Sequence, residues 1–328
     1  MPSIANIVGT DLSAYKVVYK GQFAYGPVTS RNGDKISVAL LREENAIISQ
    51  AYEVFEVVDA NALDPEYLMM WFRRPEFDRY ARFHSHGSAR EVFDWEEMCE
   101  VKIPVPTIEE QRCIVAEYNT IQKRIATNKK LIETLEQTAQ TLYRKTFIDN
   151  IDPNNLPAGW RMGTIGEFCD IITGKKDVNE SLEKGKYRFF SCSPDFYFSN
   201  EYIACGPAVL IAGNGSYTGR VTYYDKEFDL YQRTYACLPK VFSRTIMSFL
   251  YGVLKFQFEA KFMGGSRGSS IPYIVRGDIA DFEFPYNMDK CQFFSNEMNK
   301  IQAFIQFKAN ETIIMEKMQT LLLSKMGV

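Results

Sequence analysis

At 328 residues, with 46% apolar and 24% charged side chains, the chain is long enough for two domains with cores of their own and has an ordinary globular composition. A net charge of −3 excludes a chain that is basic throughout, so any surface for nucleic acid has to be local. No run of eighteen apolar residues is present, no signal peptide opens the chain, and the seven cysteines form no CxxC pair. This argues against a membrane helix and a disulfide framework, and for reduced thiols in a cytoplasm.

In chain order, Tyr15 to Tyr19 and Gly21 to Tyr25 read as strands around a turn, and Ser30 to Lys35 is a polar, turn-rich loop. Ile36 to Leu41 and Ala46 to Val58 alternate like strands. Asp64 to Phe72 reads as a short helix starting on Asp64 or Pro65, and Phe77 to Ser88 leads into the loop Ser85 to Arg90.

A long helix follows. Ile114, Tyr118, Ile121, Ile125, Asn128, Ile132, Leu135, Ala139 and Leu142 recur at alternating steps of four and three, the a/d seam of a coiled coil. Pro106 and Thr107 suit its start, and Glu109 and Glu110 place negative charge at the positive helix end. The seam is about 43 Å long at 1.5 Å per residue.

Ile148 to Gly159, rich in Asp, Asn and Pro, is a linker. Beyond it, Trp160 to Thr173 reads as strand and short helix, and Gly174 to Lys186 as a charged loop. Ala208 to Ala212 is a buried-strand run that breaks at Gly213 to Gly219; Val221 to Tyr224 and Tyr231 to Leu238 are strands, and Arg244 to Phe262 is helical. A second seam closes the chain: Phe294, Met298, Ile301, Ile305, Lys308, Thr312, Met315, Gln319 and Leu322, each 180 positions after its counterpart. Phe304, Ile313, Ile314, Met318 and Leu321 are expected to widen its apolar face. If the helices pair antiparallel in centred register, Asn128 meets Lys308.

The repeat extends upstream of the helices. Gly87-Ser88 and Val101 to Pro104 match Gly268-Ser269 and Phe282 to Pro285 at an offset of 181, as do Gln111 and Gln292. Ile48 to Tyr52 resembles Tyr231 to Tyr235, and Asn32 to Ile36 answers Thr218 to Val221. Met1 aligns with the late 180s, so the first repeat is expected to lack about thirty residues at its start.

Two variable α/β units, each followed by a long matched helix, resemble the specificity subunit of type I restriction-modification systems. The resemblance rests on Leu156 to Trp160 at a unit start, Gly-Ser before the closing strand, Ile103 to Pro106, and Glu109 to Arg112 at the helix start. Phe284 to Asn287 departs from that pattern before the second helix. The resemblance implies an α/β (α+β) fold of two similar target-recognition domains separated by an antiparallel two-helix coiled coil. The boundaries are then 1–106, 107–147, 148–286 and 287–328. It also implies a subunit that reads a bipartite site on double-stranded DNA and scaffolds two methyltransferase subunits and, for cleavage, restriction/translocase subunits. The complex would act as a DNA adenine methyltransferase and ATP-dependent endonuclease. A homodimer could compensate the shortened first domain.

The chain itself reads as non-catalytic and free of cofactors. It has no P-loop spacing. Ser193 to Phe196 has the outline of an amino-methyltransferase motif without its second proline or a cofactor loop. Two histidines, His84 and His86, offer neither a catalytic triad nor a supported metal site.

Reading base edges takes forked or paired donors, Arg to guanine and Asn or Gln to adenine, and phosphate positioning uses Lys, Ser, Tyr and backbone amides. The polar loops supply Ser30, Arg31, Asn32, Lys35, Ser85, His86, Ser88 and Arg90 in the first repeat. In the second they supply Lys175, Lys176, Asn214, Ser216, Tyr217, Thr218, Arg220, Arg233, Ser266, Arg267 and Ser269. The competing readings are a coiled-coil adaptor that binds proteins, a fused methyltransferase-nuclease piece, and a silent cassette whose first half-site does not function.

Overall fold

The computed structural model describes residues 11–29, 35–87, 90–263 and 271–327. Unit 1 takes in the chain up to Lys129 and again from Ala309, and unit 2 takes in Lys130–Lys308.

Unit 1 begins with β1 (Lys16–Val18), β2 (Phe23–Gly26), β3 (Ser37–Leu40), β4 (Ala46–Ile48) and β5 (Glu53–Phe55). The strand expected over Ala46 to Val58 divides into β4 and β5 because the Tyr52 amide closes a turn on the Ser49 carbonyl at 3.0 Å. The order β3-β2-β5 is antiparallel throughout, and β1 pairs separately with β4.

Next come α1 (Pro65–Phe72), α2 (Pro75–Phe83) and α3 (Trp95–Cys99). The Asp64 carboxylate accepts from the Glu66 and Tyr67 amides, and Pro65 stands in the first turn, where no donor is lost. Pro75 starts α2 the same way, so the stretch expected to run into a loop is helical to Phe83. Phe23, Tyr25, Phe77 and Phe93 form the core between sheet and helices.

The long helix α4 (Ile108–Phe147) starts on a capping box: the Thr107 amide donates to Glu110 Oε2 at 3.0 Å and the Glu110 amide to Thr107 Oγ1 at 3.3 Å. Gln111 is wholly buried; its amide group accepts from the Asp64 amide and donates to the Ala62 and Pro106 carbonyls, tying α4 to the start of α1.

Unit 2 contains β6 (Arg161–Thr164), α5 (Ile165–Phe168), β7 (Cys169–Thr173), β8 (Tyr187–Phe190), β9 (Phe196–Ser199), β10 (Ala204–Cys205), β11 (Ala208–Ala212), β12 (Val221–Tyr224), β13 (Glu227–Leu230) and β14 (Thr234–Pro239). Then follow α6 (Arg244–Val253), a π turn over Leu254–Phe258, α7 (Glu259–Phe262), α8 (Arg276–Ala280), β15 (Glu283–Tyr286) and α9 (Met288–Lys325). The sheets run β12-β11-β14-β7, β10-β13-β8-β9 and β15-β6. The segment 174–186 holds a 3₁₀ turn at Val178–Glu180.

In unit 2, Tyr143 and Phe147 of α4 meet Phe294 of α9 at ring-centroid distances of 5.5 and 5.6 Å. In unit 1, Tyr118 of α4 lies in one cluster with Leu323 and Met326 of α9. Early residues of one helix therefore pack on late residues of the other, the antiparallel sense of a coiled coil. All eighteen positions of the two expected seams are buried or half-buried.

Asn128 donates to Thr312 Oγ1 at 3.4 Å, one helical turn beyond Lys308. Two expectations need correcting. Phe304, Ile313, Ile314, Met318 and Leu321 do not extend the buried face: all five are exposed, because a two-helix seam covers the a/d row and leaves its flanks to solvent. Gln292 is exposed, and Cys291 takes the buried place that Gln111 holds in α4, since the repeat runs at 180 along the helices. Asn287 caps α9 in place of Thr107, its Oδ1 accepting from the Lys290 amide at 3.1 Å.

Candidate nucleic-acid interface

In unit 2 the break after β11 folds into a loop stitched to its neighbours by backbone bonds. The Gly219 amide donates to the Ala212 carbonyl (2.8 Å), Gly213 to Arg233 (2.9 Å), Gly215 to Pro272 (3.0 Å) and Ile274 to Gly213 (2.9 Å). Gly215 and Gly219 have φ of +81° and +88°, and a Cβ on Gly219 would lie 2.7 Å from the Phe262 carbonyl oxygen, so glycine is required there. Asn214 bridges to Tyr273.

This gathers Asn214, Ser216, Tyr217, Arg220 and Arg233 at one end of the sheet. Ser216, Tyr217 and Arg233 are exposed, and Asn214 and Arg220 half-buried. Cys192 was not among the expected residues, yet its thiol donates to Asn214 Oδ1 at 3.2 Å and to the Arg233 carbonyl at 3.4 Å. Arg220 donates to the Ser193 carbonyl and, at 2.9 Å, to Thr222 Oγ1. Its Nε is buried without a partner, and burial lowers the guanidinium pKa from its ordinary value. The turn chemistry of Ser191 to Asp195 was the available signal for this neighbour. Tyr273, exposed beside Asn214, carried none.

Two expected residues are committed inside the unit. Thr218 is fully buried, its hydroxyl bonded to the Gly215 (2.6 Å) and Pro272 (2.9 Å) carbonyls. Lys176 lies 2.7 Å from Asp229 Oδ2, which is buried, and 3.0 Å from Glu201 Oε2, and its pKa is raised chiefly by the Asp229 bond. Lys175 beside it is exposed.

Unit 1 repeats the junction. Val28 and His86 each bridge to Val92, and the Thr29 amide donates to the Glu91 carbonyl at 3.0 Å. Ser85 accepts from Thr29 Oγ1 at 3.0 Å and donates to the Ala81 carbonyl at 2.7 Å. His84 Nδ1 and His86 Nε2 lie 3.4 and 3.6 Å from the two oxygens of Glu97, a residue the sequence did not single out. Arg90 and Lys35 are exposed. Ser30, Arg31, Asn32, Ser88, Ser266, Arg267 and Ser269 lie outside the described residues.

Among the described residues, no group of three His, Cys, Asp or Glu side chains could hold a metal ion, and no helix is long and apolar enough to cross a membrane.

The sequence model of the family described as "Type I restriction modification DNA specificity domain" matches residues 14–137 and 157–292. The chain is 34% identical over 167 residues to the type I restriction enzyme EcoDI specificity subunit of Escherichia coli, a stretch covering 51% of this chain and 32% of that protein. It is 26% identical over 152 residues to the HindI specificity subunit of Haemophilus influenzae, covering 46% of this chain and 32% of the relative. The matched stretches thus span about a third of these relatives' length.

Its fold is similar to the crystal structure of a type I restriction-modification S subunit from M. genitalium, with a TM-score of 0.65 and 18% identity over 95% of this chain and 84% of that one. A chain from a study of assembly and conformational transition in the type I restriction-modification system aligns with a TM-score of 0.51 and 18% identity, over 96% of this chain and 83% of that one. With two copies of its domain matched over most of the length, this protein belongs to the type I restriction-modification DNA specificity domain family.

Proposed function

We propose that the chain is the DNA-reading subunit of a type I restriction-modification complex and has no catalytic role of its own. Each unit reads one half of a bipartite duplex site. The observation that carries this reading is the repeated loop junction, built on Val28, His86 and Val92 in one unit and on Asn214 and Tyr273 in the other. Arg233, Asn214 and Arg90 supply base-reading donors; Ser216, Tyr217, Lys175 and Lys35 position phosphates. Arg220 and Cys192 hold the loop that carries Asn214. Thr218 and Lys176 belong to the frame.

The proposed partners are two methyltransferase subunits and the restriction/translocase subunits, in the cytoplasm. The complex would methylate adenine and cleave DNA at the cost of ATP, and this chain needs no cofactor. The exposed row Ile313, Ile314, Met318 and Leu321 on α9 supports a role in assembly, since contiguous apolar surface is costly in water. The homodimer expected from the sequence has less support. A copy that lent Arg161–Thr173 to its neighbour would strip the partners of its own β14 and β15.

The test is methylation mapping in cells carrying the gene with its partner subunits. Arg233→Ala and Asn214→Ala are expected to relax one half of the modified motif and leave the other intact, by about 1–3 kcal/mol of discrimination each. An unchanged motif with both variants would reject the assignment of these residues.

A further inference from the structure

Asn214 and Arg233, both proposed as base readers of unit 2, meet at a single thiol. Cys192 stands two residues beyond β8, Asn214 two residues beyond β11, and Arg233 immediately before β14. Cys192 Sγ lies 3.2 Å from Asn214 Oδ1, 3.4 Å from the Arg233 carbonyl oxygen and 3.7 Å from Thr234 Oγ1. These partners are 22, 41 and 42 positions away in the chain, so the thiol ties together loops that no local turn connects.

A thiol has one proton to give. The Arg233 carbonyl already accepts the Gly213 amide at 2.9 Å, and it is the farther of the two acceptors. The proton therefore goes to Asn214 Oδ1. The reverse orientation of the carboxamide would set Nδ2 against sulfur, a weak acceptor, and leave the thiol proton to the shared carbonyl. The contact thus decides which end of the carboxamide turns inward. The backbone beneath it is fixed independently. Asn214 bridges to Tyr273, and the Gly213 and Gly215 amides on either side donate to the Arg233 and Pro272 carbonyls. Among the described residues, Asn214 Nδ2 has no partner.

An asparagine reads adenine with both ends of its carboxamide, Oδ1 accepting from N6 and Nδ2 donating to N7. With Oδ1 turned to the thiol, Nδ2 is the end left for DNA. Guanine presents acceptors alone on that edge, N7 and O6, whereas adenine sets the N6 donor beside N7. We propose that Cys192 is a specificity-positioning residue: by holding Asn214 Oδ1, it makes Asn214 a donor to guanine and not a reader of adenine. Cys192 touches no base itself. The inference rests on the proposed base-reading role of Asn214 and goes beyond it by naming the base.

The test is methylation mapping with the full chain and its partner subunits, comparing the native protein with substitutions at the two positions. The native motif carries guanine at the position that Asn214→Ala relaxes. Cys192→Ala releases the carboxamide, and the preference for guanine over adenine there falls about tenfold or more. Cys192→Ser, whose hydroxyl donates to the same oxygen, keeps the preference. Asn214→Asp still accepts from the thiol but has no outward donor, and it loses guanine.

Adenine at the Asn214-dependent position of the native motif overturns the proposal. So does a Cys192→Ala protein that methylates less at every site with its base preference unchanged, since that is the mark of a merely structural role. Equal loss of preference in Cys192→Ser and Cys192→Ala overturns it too. Should Cys192→Ala give no methylation at all, the native motif and Asn214→Asp still decide. A motif relaxed by Asn214→Ala but not by Cys192→Ala removes this inference and leaves the DNA reading standing. A motif unmoved by Asn214→Ala removes both.

Discussion

Unit 2 flanks β14 with β11 on one side and β7 on the other, whereas in unit 1, where β2 and β5 correspond to β11 and β14, the described residues flank β5 with β2 alone. Among the described residues the frame is thus closed in unit 2 and open in unit 1, and the difference shows what a unit builds without a segment like Arg161–Thr173. Helix α1 with its Asp64 cap, the Gln111 tie and the loop junction at Val92 form in the open unit without β6, α5 or β7. What Arg161–Thr173 adds to unit 2 is burial: the core there includes Ile165, Cys169 and Ile171, all from that segment.

The first way to break the comparison is at matched seam positions. Phe294→Ala empties a fully buried site ringed by Tyr143 and Phe147 and is expected to cost unit 2 about 4 kcal/mol. Its counterpart Ile114, half-buried beside α1, should cost unit 1 about 2 kcal/mol on truncation to alanine. Denaturant titrations read the two separately, through Trp160 for unit 2 and Trp71 and Trp95 for unit 1. Thiols give a second readout. Burial pushes Cys169 and Cys291 up to about 12, so they stay silent until unit 2 opens, while Cys99 and Cys113 react in the folded chain. Equal losses from the two substitutions would mean that the open edge is not what separates the units.

Next in size is Lys176→Met, which leaves Asp229 buried with Ser199 and the Leu230 amide as its remaining partners. The expected loss is about 3 kcal/mol, in unit 2 alone. The folded-state pKa of Lys176 is raised, so its contribution is complete below the ordinary 10.5 and is lost only as pH climbs through the folded value. The penalty of the substitution should therefore be constant from neutral to mildly alkaline pH. A penalty that fades already near neutrality would show that the ion pair with Asp229 is not what the substitution removes.

The seams were legible because their signal is local: the steps of four and three are written in the chain and need no distant partner to be seen. The exposed flank of α9 was misread for the complementary reason, since whether Ile313 or Leu321 is covered depends on how many helices gather, which spacing along one helix does not encode. Strand β8 was missed because it pairs parallel with β13, with Phe189 and Phe190 both buried, and shows no alternation. At the loops, the sequence located the turns but not the fate of each side chain. Thr218 is withdrawn by a carbonyl at Pro272, and Asn214 is held by a thiol at Cys192; both partners are remote in the chain.

The smallest expected effect separates two explanations of helix register. In unit 1, Arg124 donates twice to Glu311 Oε1, at 3.0 and 2.9 Å, and Asn128 donates to Thr312 within the seam. Arg124 is half exposed, so water and salt compete for it, and Arg124→Ala is expected to cost about 0.5 kcal/mol, vanishing at high ionic strength. Asn128 is buried, and Asn128→Ala removes a polar contact that water cannot replace, for about 1 kcal/mol independent of salt. Stability measured at low and high salt for both variants decides between them. A salt-insensitive Arg124→Ala larger than Asn128→Ala would move the determinant of register from the seam to the surface pair. The expected order keeps it where a misaligned helix would leave a polar group buried among isoleucines.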